Sequence, residues 1–267
     1  MLRSMRPGSL QADPLPRIAL FSDVDGTLLD SSDRLAITPE DVGRLAPHAE
    51  LILTSSRTLL ELGVIQRRLG IVAPLIGENG AVASFPPGWR GGRTRRREIL
   101  VLGEGEDRIR PRVRRCAAKT GVEIAFQRDL VPDWAETLQR GYSVCVRNWV
   151  GPDADRFLSA LRRDKLSATR SGSWITVTSG ADKGTGVRAV MKHARKRRAA
   201  FKSSVAIGNE ANDQALLAAA DLRFAIRNPR RGHHDDLIGL PDVTALNWSG
   251  KRAWRVAMSK ILSNGTP

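Results

Sequence analysis

The 267-residue sequence predicts an α/β protein, a parallel-sheet core with an α+β unit inserted into it. Three observations predict it. Short apolar runs that end in polar, glycine-bearing loops alternate with stretches of helical periodicity. The alternation breaks at a Pro/Gly segment, Pro86-Pro87-Gly88 with Gly91-Gly92, followed by Arg93, Arg95, Arg96 and Arg97. It resumes after Asp182-Lys183-Gly184.

Taken in order, Ile18 to Ser22 is a short apolar run that feeds Asp23-Val24-Asp25-Gly26-Thr27, a buried strand opening into a tight loop. Leu51 to Thr54 is a second strand, followed by Ser55-Ser56-Arg57-Thr58. From Thr58 to Leu69, Leu59, Leu62, Ile65 and Leu69 recur at helical spacing, and Gly70 stops the helix. Pro74 to Ile76 is a third strand, closed by Gly77-Glu78-Asn79-Gly80. Strand, helix, strand with short connections is the pattern of a parallel sheet, giving a Rossmann-like core. Within the insert, helices are expected at Arg108–Thr120 and Asp153–Leu161, and strands at Tyr142–Val146 and Trp174–Thr178. Beyond it, a helix at Thr185–Arg198, a strand at Ser204–Ile207, a helix at Asp213–Ala220 and a strand at Leu222–Ile226 return to the core pattern. The expected division is a disordered leader over 1–16, a core over 17–84 and 179–267, and a cap over 85–178.

Composition bounds the function. With 41% hydrophobic and 27% charged residues, the chain has enough apolar material for a core, which excludes wholesale disorder. Lys and Arg number 43 against 28 Asp and Glu, a net charge of +15, and 35 of the 43 are Arg. Such a surplus attracts nucleic acid, anionic lipid or a multiply charged substrate, although Arg-heavy codon usage produces the same balance. Cys116 and Cys145 are too few for a disulfide framework and match no zinc spacing, so they read as buried or incidental thiols in a reducing compartment. No apolar run approaches the ~20 residues of a membrane helix. Residues 1–17 lack the apolar stretch of a secretory signal, and Pro7, Pro14 and Pro16 break any amphipathic helix there. A cytoplasmic location with no membrane partner is the expectation.

Four polar clusters fall where strands end, which is where open α/β sheets bind ligands. Asp23 and Asp25 place two carboxylates at one strand mouth, a pairing suited to a metal and to covalent phosphoryl transfer; an ordinary Asx turn is the alternative. Ser55 offers a hydroxyl and backbone amides at a helix start, or a plain N-cap. Lys183 lies beside glycine that permits close approach, or is a surface lysine. Asn209 and Asp213 bring oxygen ligands for a hard cation such as Mg²⁺, or form a capped loop.

Together and in this order, Asp23-Val24-Asp25-Gly26-Thr27, Ser55, Lys183 and Gly208-Asn209-Glu210-Ala211-Asn212-Asp213 resemble the four motifs of the haloacid dehalogenase superfamily of phosphohydrolases. The resemblance implies a phosphoric monoester hydrolase with Asp23 as nucleophile and Asp25 as acid and base. It implies that Ser55, Ser56 and Lys183 hold the phosphoryl group, and that Asp23, Asp25 through its carbonyl, Asn209 and Asp213 surround Mg²⁺. Asn209 departs from the pattern, since the superfamily has Asp there; a neutral ligand weakens the metal site unless Glu210 turns inward.

The insert's position between the second and third motifs, and Glu78-Asn79-Gly80-Ala81 before it, resemble the branch with an α+β cap. Ser55-Ser56-Arg57-Thr58 is similar to the Thr-Ser-Lys-Thr form of motif two in mannosyl-3-phosphoglycerate phosphatases, where most sugar phosphatases of the branch have Thr-Gly-Arg. That implies an anionic phosphorylated sugar as substrate, with Arg147 and Arg170 as candidate cap contacts and Trp149 and Trp174 as candidate stacking surfaces. The alternatives are a sucrose-phosphate or Cof-like phosphatase, a nearly inactive relative marked by Asn209, or a basic nucleic-acid binder. The last rests on Lys192, Arg195, Lys196, Arg197, Arg198, Lys251, Arg252 and Arg255, but no nucleic-acid motif accompanies them, and no such partner is expected. The sequence leaves the oligomeric state open.

Overall fold

The computed structural model describes residues 16–130, 139–147, 149–171 and 173–264. Apart from Pro16, the expected leader lies outside them. In chain order the first half contains β1 (Ile18–Ser22), α1 (Pro39–Leu45), β2 (Ala49–Thr54), α2 (Leu59–Leu69), β3 (Leu75–Gly77), β4 (Val82–Phe85) and β5 (Glu98–Val101). An excursion follows: α3 (Glu106–Thr120), α4 (Gln127–Leu130), β6 (Val144–Arg147), α5 (Pro152–Arg163), β7 (Ser167–Ser171) and β8 (Trp174–Thr178). The chain then returns through α6 (Lys183–Lys196), β9 (Ser203–Gly208), α7 (Gln214–Ala218), β10 (Leu222–Ile226), α8 (Asp235–Ile238), β11 (Val243–Leu246) and α9 (Gly250–Asn264).

The core sheet has the order β11-β10-β9-β1-β2-β3-β4-β5, parallel from β11 to β3. Its strands read as continuous apolar runs because both faces are covered. On one face Leu20, Leu51, Leu53 and Val205 pack against α1, α2 and α9. On the other, Phe21, Ile52 and Ala206 meet Val187, Val190 and Ala194 of α6 and Leu216 and Leu217 of α7. The helix starts are set by local chemistry. Thr38 with Asp41, Thr58 with Glu61 and Asp182 with Thr185 form reciprocal caps for α1, α2 and α6, and Gly70 ends α2 at φ +67°.

The boundary expected at residue 85 is corrected. β4 and β5 pair antiparallel with each other, and β4 with β3, so residues 82–101 extend the core sheet. All four residues of β4 are buried, and the arginines at 93, 95 and 96 lie in the exposed connection between the two strands. The excursion leaves the sheet only after Gly103, where the backbone N–H groups of Leu102 and Gly103 still reach the Ala81 carbonyl. It forms a three-stranded antiparallel sheet, β6-β8-β7, with α3 and α5 on one face over Val146, Ile175 and Val177. This is the α+β cap. Cys116 and Cys145 are both free and buried in it.

α9 was not anticipated from the sequence, where its basic residues drew attention instead. Ala253, Trp254, Ala257, Met258 and Ile261 form its buried stripe, and Trp254 is fully buried. Its indole Nε1 donates to the Thr27 carbonyl at 3.0 Å, bracing the loop after β1 from beneath. Trp254→Phe removes that donor and is expected to lower unfolding free energy by about 1–3 kcal/mol, since a buried acceptor loses its partner. Trp254→Ala is expected to cost about 3–5 kcal/mol. Urea unfolding checks both; a Trp254→Phe protein as stable as the parent would contradict the bracing role.

Candidate active site

β1 lies between β2 and β9, all parallel, so the loops after Ser22, Thr54 and Gly208 open at one edge of the sheet. The N-terminus of α6 delivers Lys183 to the same edge. Lys183 is 1% exposed, and its Nζ lies 2.6 Å from Asp23 Oδ1 and 2.6 Å from Asp213 Oδ1. It is not a surface lysine. Asp213 is fully buried, and its other oxygen accepts the backbone N–H groups of Asn209 at 2.9 Å and Glu210 at 3.1 Å. Asp213 thus holds both the lysine and the turn of the loop after β9.

This buried cluster carries two carboxylates against one ammonium. Burial above all, then repulsion from Asp213, pushes the Asp23 carboxyl up to about 7, with Lys183 pulling the other way. Burial disfavours the charge on Lys183, yet the Asp213 and Asp23 carboxylates outweigh it and hold the ammonium above its ordinary range. Positive charge is therefore in deficit at the β1 mouth.

Ser55 is buried beside it, with its Oγ accepting from the Arg57 N–H at 3.2 Å. It is not the cap of α2; Thr58 is. The Ser56 carbonyl accepts from Arg140 of the cap at 2.6 Å. Asp25 is exposed at the mouth, and Arg57 forks onto it, Nη2 to Oδ1 at 2.6 Å and Nε to Oδ2 at 3.1 Å. The Asp25 bond, working against burial, keeps Arg57 firmly charged. Sequence reasoning placed Arg57 in a motif but assigned it nothing. Glu78 was likewise quoted only for a resemblance. Its buried carboxylate accepts from the N–H groups of Gly141 and Tyr142 at 3.1 and 2.9 Å and from Ser143 Oγ at 2.7 Å, tying the cap to the core. No one-dimensional signal marks a carboxylate whose partners lie more than sixty positions away.

Asn209 is buried at the end of β9, and its amide reaches Thr27 Oγ1, the Asp25 carbonyl and Asp23 Oδ2. Three oxygens from the β1 loop and an amide with its own oxygen thus converge on one point. Gly26, at φ +77°, makes this possible, because a Cβ there would lie 2.4 Å from Asn209 Nδ2. Among the described residues no group of three or more His, Cys, Asp or Glu side chains is gathered for a metal. The donor set here is instead one carboxylate oxygen, one backbone carbonyl and one amide oxygen, hard ligands that suit Mg²⁺. Glu210 does not join it: its Oε1 accepts from Asn228 Nδ2 at 2.9 Å.

The two cap arginines separate. Val144, Val146, Ile175, Val177 and Ala168 face the cap helices, so the register puts Arg170 on that side, where it pairs with Asp155 of α5 at 3.7 Å. Arg170 is corrected from site candidate to outer-face ion pair. Arg147 lies on the opposite face with Trp174, Thr176 and Thr169. That face looks toward the core: β7 packs on residues 211–213 and β8 on residues 78–80. Trp149 stacks on Phe157 with centroids 5.4 Å apart, which is cap packing rather than a ligand surface.

Two outcomes follow from the charge deficit. A carboxyl raised from 3.8 to about 7 stabilises the fold below its ordinary pKa, and that contribution is lost as pH rises through 7. Metal-free protein is therefore expected to melt lower at pH 8 than at pH 5, and Asp23→Asn to flatten the slope. Equal slopes in the two proteins would contradict the cluster's electrostatics. Lys183→Met strands two buried carboxylates and is expected to cost about 3–5 kcal/mol in denaturant unfolding.

Comparison with known proteins agrees with this geometry. Residues 153–232 match the family model described as haloacid dehalogenase-like hydrolase. The glucosyl-3-phosphoglycerate/mannosyl-3-phosphoglycerate phosphatase of Persephonella marina is 26% identical over 270 residues, covering 92% of this chain and 97% of that one. The protein of the same name from Methanococcoides burtonii is 24% identical, covering 91% and 96%. The solved sucrose-phosphatase of Synechocystis shares the fold at a TM-score of 0.65 and 14% identity, over 92% of this chain and 98% of that one. With the four sequence clusters brought to one sheet edge beneath an α+β cap, the chain is similar in fold and in sequence to haloacid dehalogenase-like hydrolases.

Proposed function

We propose that this chain is a Mg²⁺-dependent phosphatase of phosphorylated sugar derivatives, acting through an aspartyl-phosphate at Asp23, with a glycosyl-3-phosphoglycerate as its substrate. The observation that carries the reading is Asp23 held on Lys183 and backed by Asp213, with the carboxylate of Asp25 two residues on at the open side of the same mouth. Buried carboxylate, buried cation and exposed carboxylate are the parts that phosphoryl transfer needs in that order. The names of the Persephonella and Methanococcoides relatives support the substrate class. So does the cap face turned to the core, which carries Arg147, Trp174 and the half-buried Thr169, groups fitted to a sugar ring and an anionic substituent.

In this reading a carboxylate oxygen of Asp23 attacks phosphorus as the bond from phosphorus to the leaving oxygen breaks. Asp25, released by Arg57 as substrate enters and protonated from solvent, gives that oxygen a proton. Asp25, now ionised, takes a proton from water, whose oxygen attacks the phosphorus of the aspartyl-phosphate; phosphate leaves and Asp23 is restored. Lys183 steadies Asp23, and the Ser55 hydroxyl and the amides beside Ser56 receive phosphoryl oxygens. Arg57 holds Asp25 in position until substrate arrives. Asp23, the Asp25 carbonyl and Asn209 would hold Mg²⁺, which supplies the positive charge that lets a carboxylate approach a phosphate dianion. Asp213 serves at one remove, its oxygens committed to Lys183 and the loop.

Phosphate release from a panel of sugar phosphates and glycosyl-phosphoglycerates tests the reading. Wild type is expected to favour the glycosyl-phosphoglycerates and to need Mg²⁺, while Asp23→Asn loses at least ~10³-fold in kcat, as removal of a nucleophile does. Comparable release by both proteins would remove Asp23 from the mechanism, and equal rates across the panel would remove the substrate assignment.

A further inference from the structure

Asn209 is the one departure from the superfamily's pattern, and its surroundings give that departure a physical meaning. With Nδ2 turned to the β1 loop, its two N–H groups have three acceptors in reach: Thr27 Oγ1 at 3.0 Å, the Asp25 carbonyl at 3.2 Å and Asp23 Oδ2 at 3.2 Å. With the amide turned over, an oxygen occupies the same position. It accepts the Thr27 hydroxyl at 3.0 Å but then faces the Asp25 carbonyl, which has no proton, and Asp23 Oδ2, which has none once Asp23 is ionised. Two orientations of equal shape thus make opposite electrostatic demands. The first sets N–H donors against acceptor oxygens with no cation present. The second needs a positive charge among the oxygens.

A carboxylate at this position has only the second behaviour. Without a metal it would stand as a third buried carboxylate beside Asp23 and Asp213, with Lys183 as their shared ammonium. Nor does a neighbour restore the missing charge when the cation is bound. Glu210 is engaged by Asn228, and both oxygens of Asp213 are taken.

We propose that Asn209 is a two-way ligand. Without a cation its NH₂ closes the oxygen cage by hydrogen bonds, and with Mg²⁺ it presents its carbonyl oxygen instead. The proposal rests on the metal-dependent reading above and adds a consequence to it. Mg²⁺ must displace the amide's hydrogen bonds and then finds a single carboxylate, so it binds weakly, while the fold stays intact without it. The enzyme is tuned to respond to the free Mg²⁺ level rather than to hold its ion permanently.

Calorimetric Mg²⁺ titration and thermal melting in EDTA and in excess Mg²⁺ test this on wild type, Asn209→Asp and Asn209→Ala. Asn209→Asp is expected to bind Mg²⁺ at least about tenfold more tightly, because affinity follows ligand charge. It is also expected to melt below wild type in EDTA and to gain more from Mg²⁺. Folding of Asn209→Asp only in the presence of Mg²⁺ would be the same result in stronger form. Asn209→Ala is expected to melt below wild type in EDTA without binding Mg²⁺ more tightly. Equal Mg²⁺ affinity of wild type and Asn209→Asp would overturn the proposal, as would wild-type melting of Asn209→Ala in EDTA. Phosphate release by wild type that ignores Mg²⁺ would count against the proposed function itself. Mg²⁺-dependent release with equal affinities would count against the two-way ligand alone.

Discussion

The buried bridge from Asp23 through Lys183 to Asp213 is the constraint on which the site depends. Its three side chains come from the end of β1, the first turn of α6 and the turn after β9, so 190 positions of chain must be folded before the bridge exists. Burying two carboxylates on one ammonium costs solvation that the contact only partly returns, and the residual is visible in the raised Asp23 carboxyl. The fold tolerates it because apolar packing on both faces of the sheet supplies the stability. In return, Asp23 is fixed, desolvated and short of positive charge, which is the condition under which a bound cation has most to offer.

Much of this was legible in the sequence because it is local. Four apolar residues and a serine running into Asp-x-Asp-Gly-Thr specify a buried strand and an acidic mouth within ten residues, and Thr58 with Glu61 or Asp182 with Thr185 announces a helix start within four. What stayed hidden depends on distant partners. β4 and β5 are hidden because the stretch that joins them, full of Pro, Gly and Arg, looks like a hinge; only their pairing on the edge of the sheet shows them to be core. Arg170 and Arg147 have the same composition-level claim to a ligand, and strand register alone divides them between the two faces of the cap sheet. Trp254 braces the motif-one loop from a helix 227 positions away.

Cap and core meet through a few directional contacts rather than through a shared apolar core. Glu78 gathers three donors at residues 141–143, and Arg140 reaches the Ser56 carbonyl. Both contacts land on the loops that follow β2 and β3. The cap is thereby registered against the sheet edge that carries Asp23 and Ser55, without the two merging into one hydrophobic body. Arg57 performs a similar task on a smaller scale, linking motif two to Asp25 of motif one.

The claim at the centre of the account is that Asp23 carries the phosphoryl group during turnover. Rapid acid quench of wild type with substrate, followed by peptide mass analysis, tests it most directly. The account predicts a phosphoryl group on the peptide containing Asp23, formed before the steady state. Full turnover with that peptide unmodified, or a phosphoryl group found on any other residue, would contradict it.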